Sequence, residues 1–169
     1  EFVRVITGEY PVFRYRQRDA FFRGLDLDTR YYVLPERLFL RAKGSMIWAN
    51  ERKTGRYFPY IPALRLSEEV GTRIPELLGG SAELSLGHQF VDRQRRFDPA
   101  TDLTDSPAGY HLFGLEASYT RPLGGRQSLR LTLSADNLLN TQYKEYTNRA
   151  RYYSHDVGRD IRFSLHYKF

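Results

Sequence analysis

The chain has 169 residues, no Cys, one Trp, 13 Tyr, 11 Phe and a formal net charge of +6. Without cysteine, thiolate metal sites, thiol nucleophiles and a disulfide framework are excluded, and four scattered His give no ligand spacing of a zinc enzyme. Apolar runs are only a few residues long, so no membrane-crossing helix is expected, yet aromatics reach 15% in a chain that is polar on average.

Period-two alternation recurs along the chain and sustained apolar spacing of three and four does not, which predicts strands. Eight segments are predicted, at residues 1–7, 12–33, 37–51, 61–74, 81–95, 109–121, 127–138 and 157–169. In the second, Leu25, Leu27, Tyr31 and Val33 oppose Gly24, Asp26, Asp28 and Arg30. In the third, Leu38, Leu40, Ala42, Met46 and Trp48 oppose Arg41, Lys43 and Ser45. The fourth is weaker, resting on Leu64 and Leu66 against Arg65 and Ser67. Ala82, Leu84, Leu86 and Phe90 then face away from Glu83, Ser85, Gly87 and Gln89, and Phe113, Leu115, Ala117 and Tyr119 from Gly114, Glu116 and Ser118. Leu129, Leu131, Leu133 and Ala135 oppose Arg130, Thr132, Ser134 and Asp136. The last strand is the cleanest: Ile161, Phe163, Leu165, Tyr167 and Phe169 alternate with Asp160, Arg162, Ser164, His166 and Lys168.

Tight turns are signalled at 34–37, 75–80 and 122–125, and longer polar connections lie at 51–60, 95–108 and 140–157. Short and long connections therefore alternate. From Leu34 to Leu78 is 44 residues, from Leu78 to Gly124 is 46, and from Gly124 to Phe169 is 45. Such two-ended asymmetry is typical of outer-membrane barrels, with short periplasmic turns and long outer loops. Extended backward, the period puts the preceding turn before Glu1, so the chain is expected to be the C-terminal segment of something longer, with residues 1–169 forming one unit. Aromatics gather near strand ends (Tyr31, Tyr32, Trp48, Tyr57, Phe58, Tyr60, Tyr110, Tyr119, Tyr167, Phe169), as interfacial girdles do. Alternation alone leaves open a soluble, lipid-carrying barrel with its apolar face turned inward.

Four motifs carry a resemblance. The run Ser134-Ala135-Asp136-Asn137-Leu138-Leu139-Asn140-Thr141-Gln142-Tyr143 resembles the penultimate-strand motif of TonB-dependent outer-membrane receptors. Gly158-Arg159 and the alternating strand to Phe169 are similar to that family's final strand. Tyr15-Arg16-Gln17-Arg18-Asp19-Ala20 with Gly24 and Asp26 resembles its Tyr-x-Gln-x-Asp-Ala…Gly-x-Glu strand, with Asp26 in place of Glu. Pro59, Ile61-Pro62 and Arg65 are similar to the Pro-x-x-Pro segment opening the next strand. The resemblance implies an all-β fold: the last eight up-and-down strands of a 22-stranded antiparallel transmembrane β-barrel, with the plug domain and the TonB-contacting box upstream. It implies location in the bacterial outer membrane and TonB-energised uptake of a ferric siderophore, haem, a metal ion or cobalamin. It also implies lipid, lipopolysaccharide, the TonB complex and the barrel-assembly machinery as partners. The last loop looks most like those of Bacteroidetes-type members and metal- or iron-uptake relatives, without a His-rich stretch. The alternative is a self-contained eight-stranded outer-membrane barrel with a structural or adhesion role.

Candidate ligand contacts are Tyr143, Tyr146, Arg149, Arg151, Tyr152, Tyr153 and His155 on the last loop, and Arg93, Arg95 and Arg96 beside Phe97 on another. Tyr and Arg together suit anionic, aromatic ligands through stacking, cation–π contact and charge-assisted hydrogen bonds; lipopolysaccharide contact and packing between loops are the competing roles. Phe163, Leu165, Tyr167 and Phe169 resemble the terminal signal read by the assembly machinery. Arg52, Lys53 and Arg56 form a further basic cluster, but the clusters lie on separate loops without a binding module, so no nucleic-acid partner is expected. Asp98, Asp102 and Asp105 could in principle offer oxygens to Ca2+, though a plain acidic loop fits their spacing better. Asp26, Asp28 and Glu116 read as lumen-face carboxylates partnered by strand arginines. No nucleophile–base constellation or Gly-rich phosphate loop is present, so neither enzyme activity nor a cofactor is expected.

Overall fold

The computed structural model describes residues 2–7, 10–15, 17–99, 101–102 and 104–169, with side chains from 17 onward. Glu1 and Arg16 of the predicted strands and motifs lie outside the described residues. The chain is all-β. A hairpin of β1 (Phe2–Thr7) and β2 (Tyr10–Tyr15) forms its own two-stranded sheet. A seven-stranded antiparallel meander follows: β3 (Ala20–Leu34), β4 (Leu38–Glu51), β5 (Arg65–Leu77), β6 (Gly80–Val91), β7 (Tyr110–Gly124), β8 (Gln127–Asp136) and β9 (Asp160–Lys168). One 3-10 turn, Arg149–Tyr152, is the only helical element among the described residues.

Predicted 81–95 ends as a strand at Val91, 157–169 begins as one only at Asp160 and 109–121 runs on to Gly124, and two further segments differ for local reasons. The segment 12–33 divides into β2 and β3, because β4 ends at Glu51, the partner of Ala20, and residues 17–19 have no strand to pair with. Arg18 instead reaches Glu51 at 2.9 Å, and the Arg52 N–H donates to the Asp19 carbonyl. The segment 61–74 begins as a strand only at Arg65. Before it, the Gln94 side chain donates to the carbonyls of Ile61 and Pro62, so side-chain bonds replace ladder bonds there. The sheet is open: β3 and β9 are its two edges, and it does not close into a barrel among the described residues.

The turns follow the expected order. Leu77 pairs with Gly80 around Leu78 (φ 49°) and Gly79 (φ 77°), the left-handed pair that matches the twist of a two-residue hairpin. Gly124 pairs with Gln127, with Gly125 at φ 59°. The long connections 52–64, 92–109 and 137–159 all fall at the opposite end of the sheet.

Register aligns the alternation across all seven strands. Leu27 opposes Gly44, Gly44 opposes Leu66, Leu66 opposes Phe90, and further on Leu115 opposes Ala135, which opposes Ile161. One face is therefore apolar from β3 to β9, and it is exposed: Leu25 is 67% accessible, Leu84 48% and Phe163 67%. The other face is polar and carries cross-strand ion pairs, among them Arg41–Asp28 at 2.7 Å, Arg73–Glu83 at 3.6 Å and Arg162–Asp136. Residues of all seven strands, with Tyr143 and Val157 of the last connection, line one open cavity of about 1000 Å3 on that polar face. Tyr31, Tyr119 and Tyr167 sit on the apolar face toward the tight turns and Trp48 toward the loops, whereas Tyr32 and Tyr110 belong to the polar face.

Gly80 is held where no side chain fits: an added Cβ would stand 2.3 Å from the Thr120 carbonyl oxygen. Gly80→Ala should therefore lower stability by about 1–3 kcal/mol, read as a reduced midpoint in denaturant unfolding of the folded chain.

Candidate functional site

The three long connections form a layer over the loop-side end of the polar face. Its footing is a small core of Ala63, Val91 and Tyr110, joined by Leu112 and Tyr143. The Tyr143 ring lies 4.4 Å from that of Tyr110, clamping the last loop to β7.

The sequence after β8 explains how the last loop turns. Asn137 (φ 49°) and Asn140 (φ 53°) both adopt the left-handed conformation that Asn tolerates better than most residues. Asn137 donates to the Thr141 carbonyl and accepts from the Thr141 N–H, closing a local ring. Asn140 Oδ1 accepts from the Arg159 N–H, and Gly158 must stay small because a Cβ there would lie 2.8 Å from that oxygen. Asn148 caps the 3-10 turn by accepting from the Ala150 N–H and donates to Asp156, whose other oxygen accepts from the Glu145 N–H. Glu145 is thereby aimed inward. It accepts from Arg65 at 2.7 Å and from the Tyr110 hydroxyl at 2.6 Å.

A second polar cluster locks the loops together. Arg151 Nη2 lies 2.6 Å from Asp102, with both side chains almost wholly buried (2% and 1% accessible). Arg151 also donates to the Tyr146 carbonyl and to Thr104, and its guanidinium stacks over the Tyr146 and Tyr152 rings. Tyr152 donates to Asp102 and lies 3.0 Å from the Tyr60 hydroxyl, so all three loops meet at this point. Burial, with the Asp102 charge beside it, pushes the Tyr146 hydroxyl up to about 12. Tyr143 and Tyr152 are raised as well, in both cases first by burial.

The candidate contact residues fall into two groups. Tyr146 and Arg151 are buried, Tyr143 is half-buried, and Tyr152 is half-buried with its hydroxyl engaged; these four build the layer. Arg149, Tyr153, His155, Arg93 and Arg95 face solvent, with Tyr153 89% exposed and Arg149 lying over the Tyr60 ring at 5.0 Å. Arg96 is intermediate, its guanidinium 5.1 Å from the Trp48 ring and its Nε buried without a hydrogen-bond partner. Phe163 and Leu165 stand exposed on the apolar face of the edge strand β9, Tyr167 follows on the same face, and Phe169 is 90% accessible. Of the acidic loop, Asp102 is taken by Arg151 and Tyr152, while Asp98 lies 4.0 Å from Arg56. Asp28 pairs with Arg41 and Lys43; Asp26 and Glu116 line the cavity. The supporting roles of Glu145, Tyr60, Tyr110 and Gln94 left no local signal, because the bonds that tie them between loops and strands join residues 30 or more apart in the chain. Chemically, the arrangement offers exposed Arg and Tyr on a fixed base above an open cavity lined by groups of both charges.

Removing one partner of a buried ion pair strands the other charge, at a cost of about 3–5 kcal/mol. Arg151→Ala should accordingly open the loop layer and expose 137–159 to proteolysis, while Arg149→Ala leaves the cleavage pattern unchanged. Because the Tyr146 hydroxyl is raised in the folded state, its contribution is intact below about pH 10 and lost as pH rises through about 12. Tyrosinate absorbance in a pH titration should show late-ionising tyrosine in the native chain, and Tyr146→Phe should remove one such group. No protein-family model matches the sequence, and neither a curated protein nor a solved structure matches it.

Proposed function

We propose that the chain is the C-terminal part of the transmembrane β-barrel of a TonB-dependent outer-membrane receptor, which takes up a scarce ligand of the ferric siderophore, haem, metal-ion or cobalamin class. The observation that carries this reading is the pairing of an exposed apolar face, broken by polar side chains mainly near its loop-side end, with a polar face whose ion pairs border a cavity reached by all seven strands. A soluble lipid carrier needs the reverse, with the apolar side chains lining the cavity. Patches of this extent on one face are otherwise interaction sites or liabilities in water, and a bilayer covers them without a second protein layer. Strands β3 to β7 have 12–15 residues, enough to cross the hydrocarbon core at a tilt.

In this reading the sheet is an arc of a 22-stranded barrel, and the open edges of β3 and β9 pair with strands of the rest of the receptor. The cavity with its ion pairs faces the hydrated lumen. The loop layer lies outside the cell, where Arg93, Arg95, Arg149, Tyr153 and His155 can meet an anionic or aromatic ligand or lipopolysaccharide phosphates. The terminal Phe163, Leu165, Tyr167 and Phe169 act as the assembly signal. The TonB complex engages the receptor through its upstream part.

The lone Trp48 reports on this directly. In vesicles containing brominated lipids its fluorescence should be quenched, and quenching no greater than in buffer with soluble quencher would overturn the membrane reading. Leu84→Arg, on the apolar face, should cost about 2–4 kcal/mol in lipid, whereas Ser85→Arg, on the cavity side, should be tolerated. An eight-stranded protein acting alone predicts a closed, heat-modifiable barrel from this chain by itself; the receptor reading predicts none. Growth under limitation of iron, haem, zinc or cobalamin, with and without the intact receptor, identifies the cargo.

A further inference from the structure

Three polar residues interrupt the apolar face at one place. Glu68 on β5, His88 on β6 and His111 on β7 occupy positions where the alternation otherwise supplies hydrophobes. Glu68 opposes His88 in register, His88 opposes Phe113, and His111 opposes Phe90, so the two imidazoles are diagonal neighbours. His88 Nδ1 lies 2.7 Å from Glu68 Oε2, and His88 Nε2 lies 2.9 Å from His111 Nδ1. The imidazole planes are 11° apart, and Phe113 and Phe90 pack against His88 and His111 respectively.

An ionised carboxylate can only accept, so Glu68 holds the proton of His88 on Nδ1. Nε2 of the neutral His88 ring is left as a lone pair aimed at His111. In the hydrogen-bonded pair, His111 donates its Nδ1–H into that lone pair. When His111 moves its single proton to Nε2 through solvent, two nitrogen lone pairs face one point and no proton is lost overall.

We propose that His88 and His111 form a chelate for a borderline divalent cation, Cu2+ or Zn2+, with Glu68 orienting His88 from behind. A tetrahedral site with metal–nitrogen bonds of about 2.0–2.1 Å places its two nitrogens about 3.4 Å apart. Closing the chelate takes a widening of about half an ångström from the hydrogen-bonded spacing and a turn of both rings, so that lone pairs lying along the N···N line converge on the metal instead. His88 is 28% accessible in its side chain and His111 is exposed, and both sit within three residues of the loop-side ends of β6 and β7, where water reaches this face even when lipid covers its middle, so the adjustment meets no packed core. A carboxylate on the far ring nitrogen is the usual device for fixing a ligating histidine and raising its basicity. No three His, Cys, Asp or Glu side chains among the described residues converge as a metal-holding group. Water therefore completes the coordination, and Glu68 is a positioning residue. Imidazole donors select Cu2+ over Zn2+ in this series. The proposal does not rest on the receptor reading, since it needs only the register of β5, β6 and β7.

Titrating the full chain with Cu2+ and with Zn2+ by calorimetry should show one site, tighter for Cu2+. Glu68→Gln should weaken it about 10–100-fold, and His88→Ala or His111→Ala should abolish the chelate. Replacing His155 and His166 together should change nothing. The electron paramagnetic resonance spectrum of the Cu2+-loaded, unsubstituted chain should show coupling to two imidazole nitrogens, a readout that stands even where a variant folds poorly. Fewer than two nitrogens, undiminished affinity in folded His88→Ala or His111→Ala, or loss of binding with the His155 and His166 substitutions would each overturn the proposal.

Discussion

The uncovered apolar face governs the rest of this structure. Seven strands present Leu, Ile, Val, Phe and Tyr in register on one side, and among the described residues no second layer of helix or sheet packs over them. Apolar surface is worth about 25 cal/mol per Å2 when removed from water, and this sheet removes little of it by itself. Among the described residues the buried hydrophobic ones are few: Ala49, Ala63, Val91, Tyr110, Ala135 and Tyr146. The fold's largest favourable term thus depends on what covers that face, and the architecture keeps it clear. Tight turns close one end, while the long connections fold mainly over the polar side and touch the apolar side at its loop end, where Arg96 meets Trp48.

The loop layer obeys a different rule. It is held by polar groups buried away from water, above all Arg151 with Asp102 and Glu145 with Arg65 and Tyr110. A buried ion pair is weak as a source of net stability but demanding in its geometry. Here it specifies one arrangement for three loops whose aromatic contacts, such as Tyr60 and Phe97 against Tyr146, do not by themselves fix a register. The exposed Tyr153, Arg149 and His155 therefore project from a fixed base.

Much of the fold was legible beforehand. The short turns at 34–37, 75–80 and 122–125 and the strands between them stand close to where alternation, Pro and Gly put them, since these are local properties of extended chain and hairpin geometry. The break within 12–33 was not legible, because it arises where the neighbouring strand β4 ends. Of the loop residues, the sequence pointed to Tyr and Arg as a class; which of them are buried follows from Asp102, which lies 49 residues from Arg151. Glu68, His88 and His111 are separated by 20 and 23 residues and looked unrelated.

By itself, the sequence determined that the chain is antiparallel β with one apolar and one polar side to each strand, because side chains alternate with period two in any extended segment. It also determined which ends turn tightly and which carry loops. Only the tertiary structure decided which face the loops cover, which loop residues are buried, and that a glutamate and two histidines meet on the apolar side. Those depend on register and on contacts across strands and loops, where a shift of one residue would send every side chain of a strand to the opposite face.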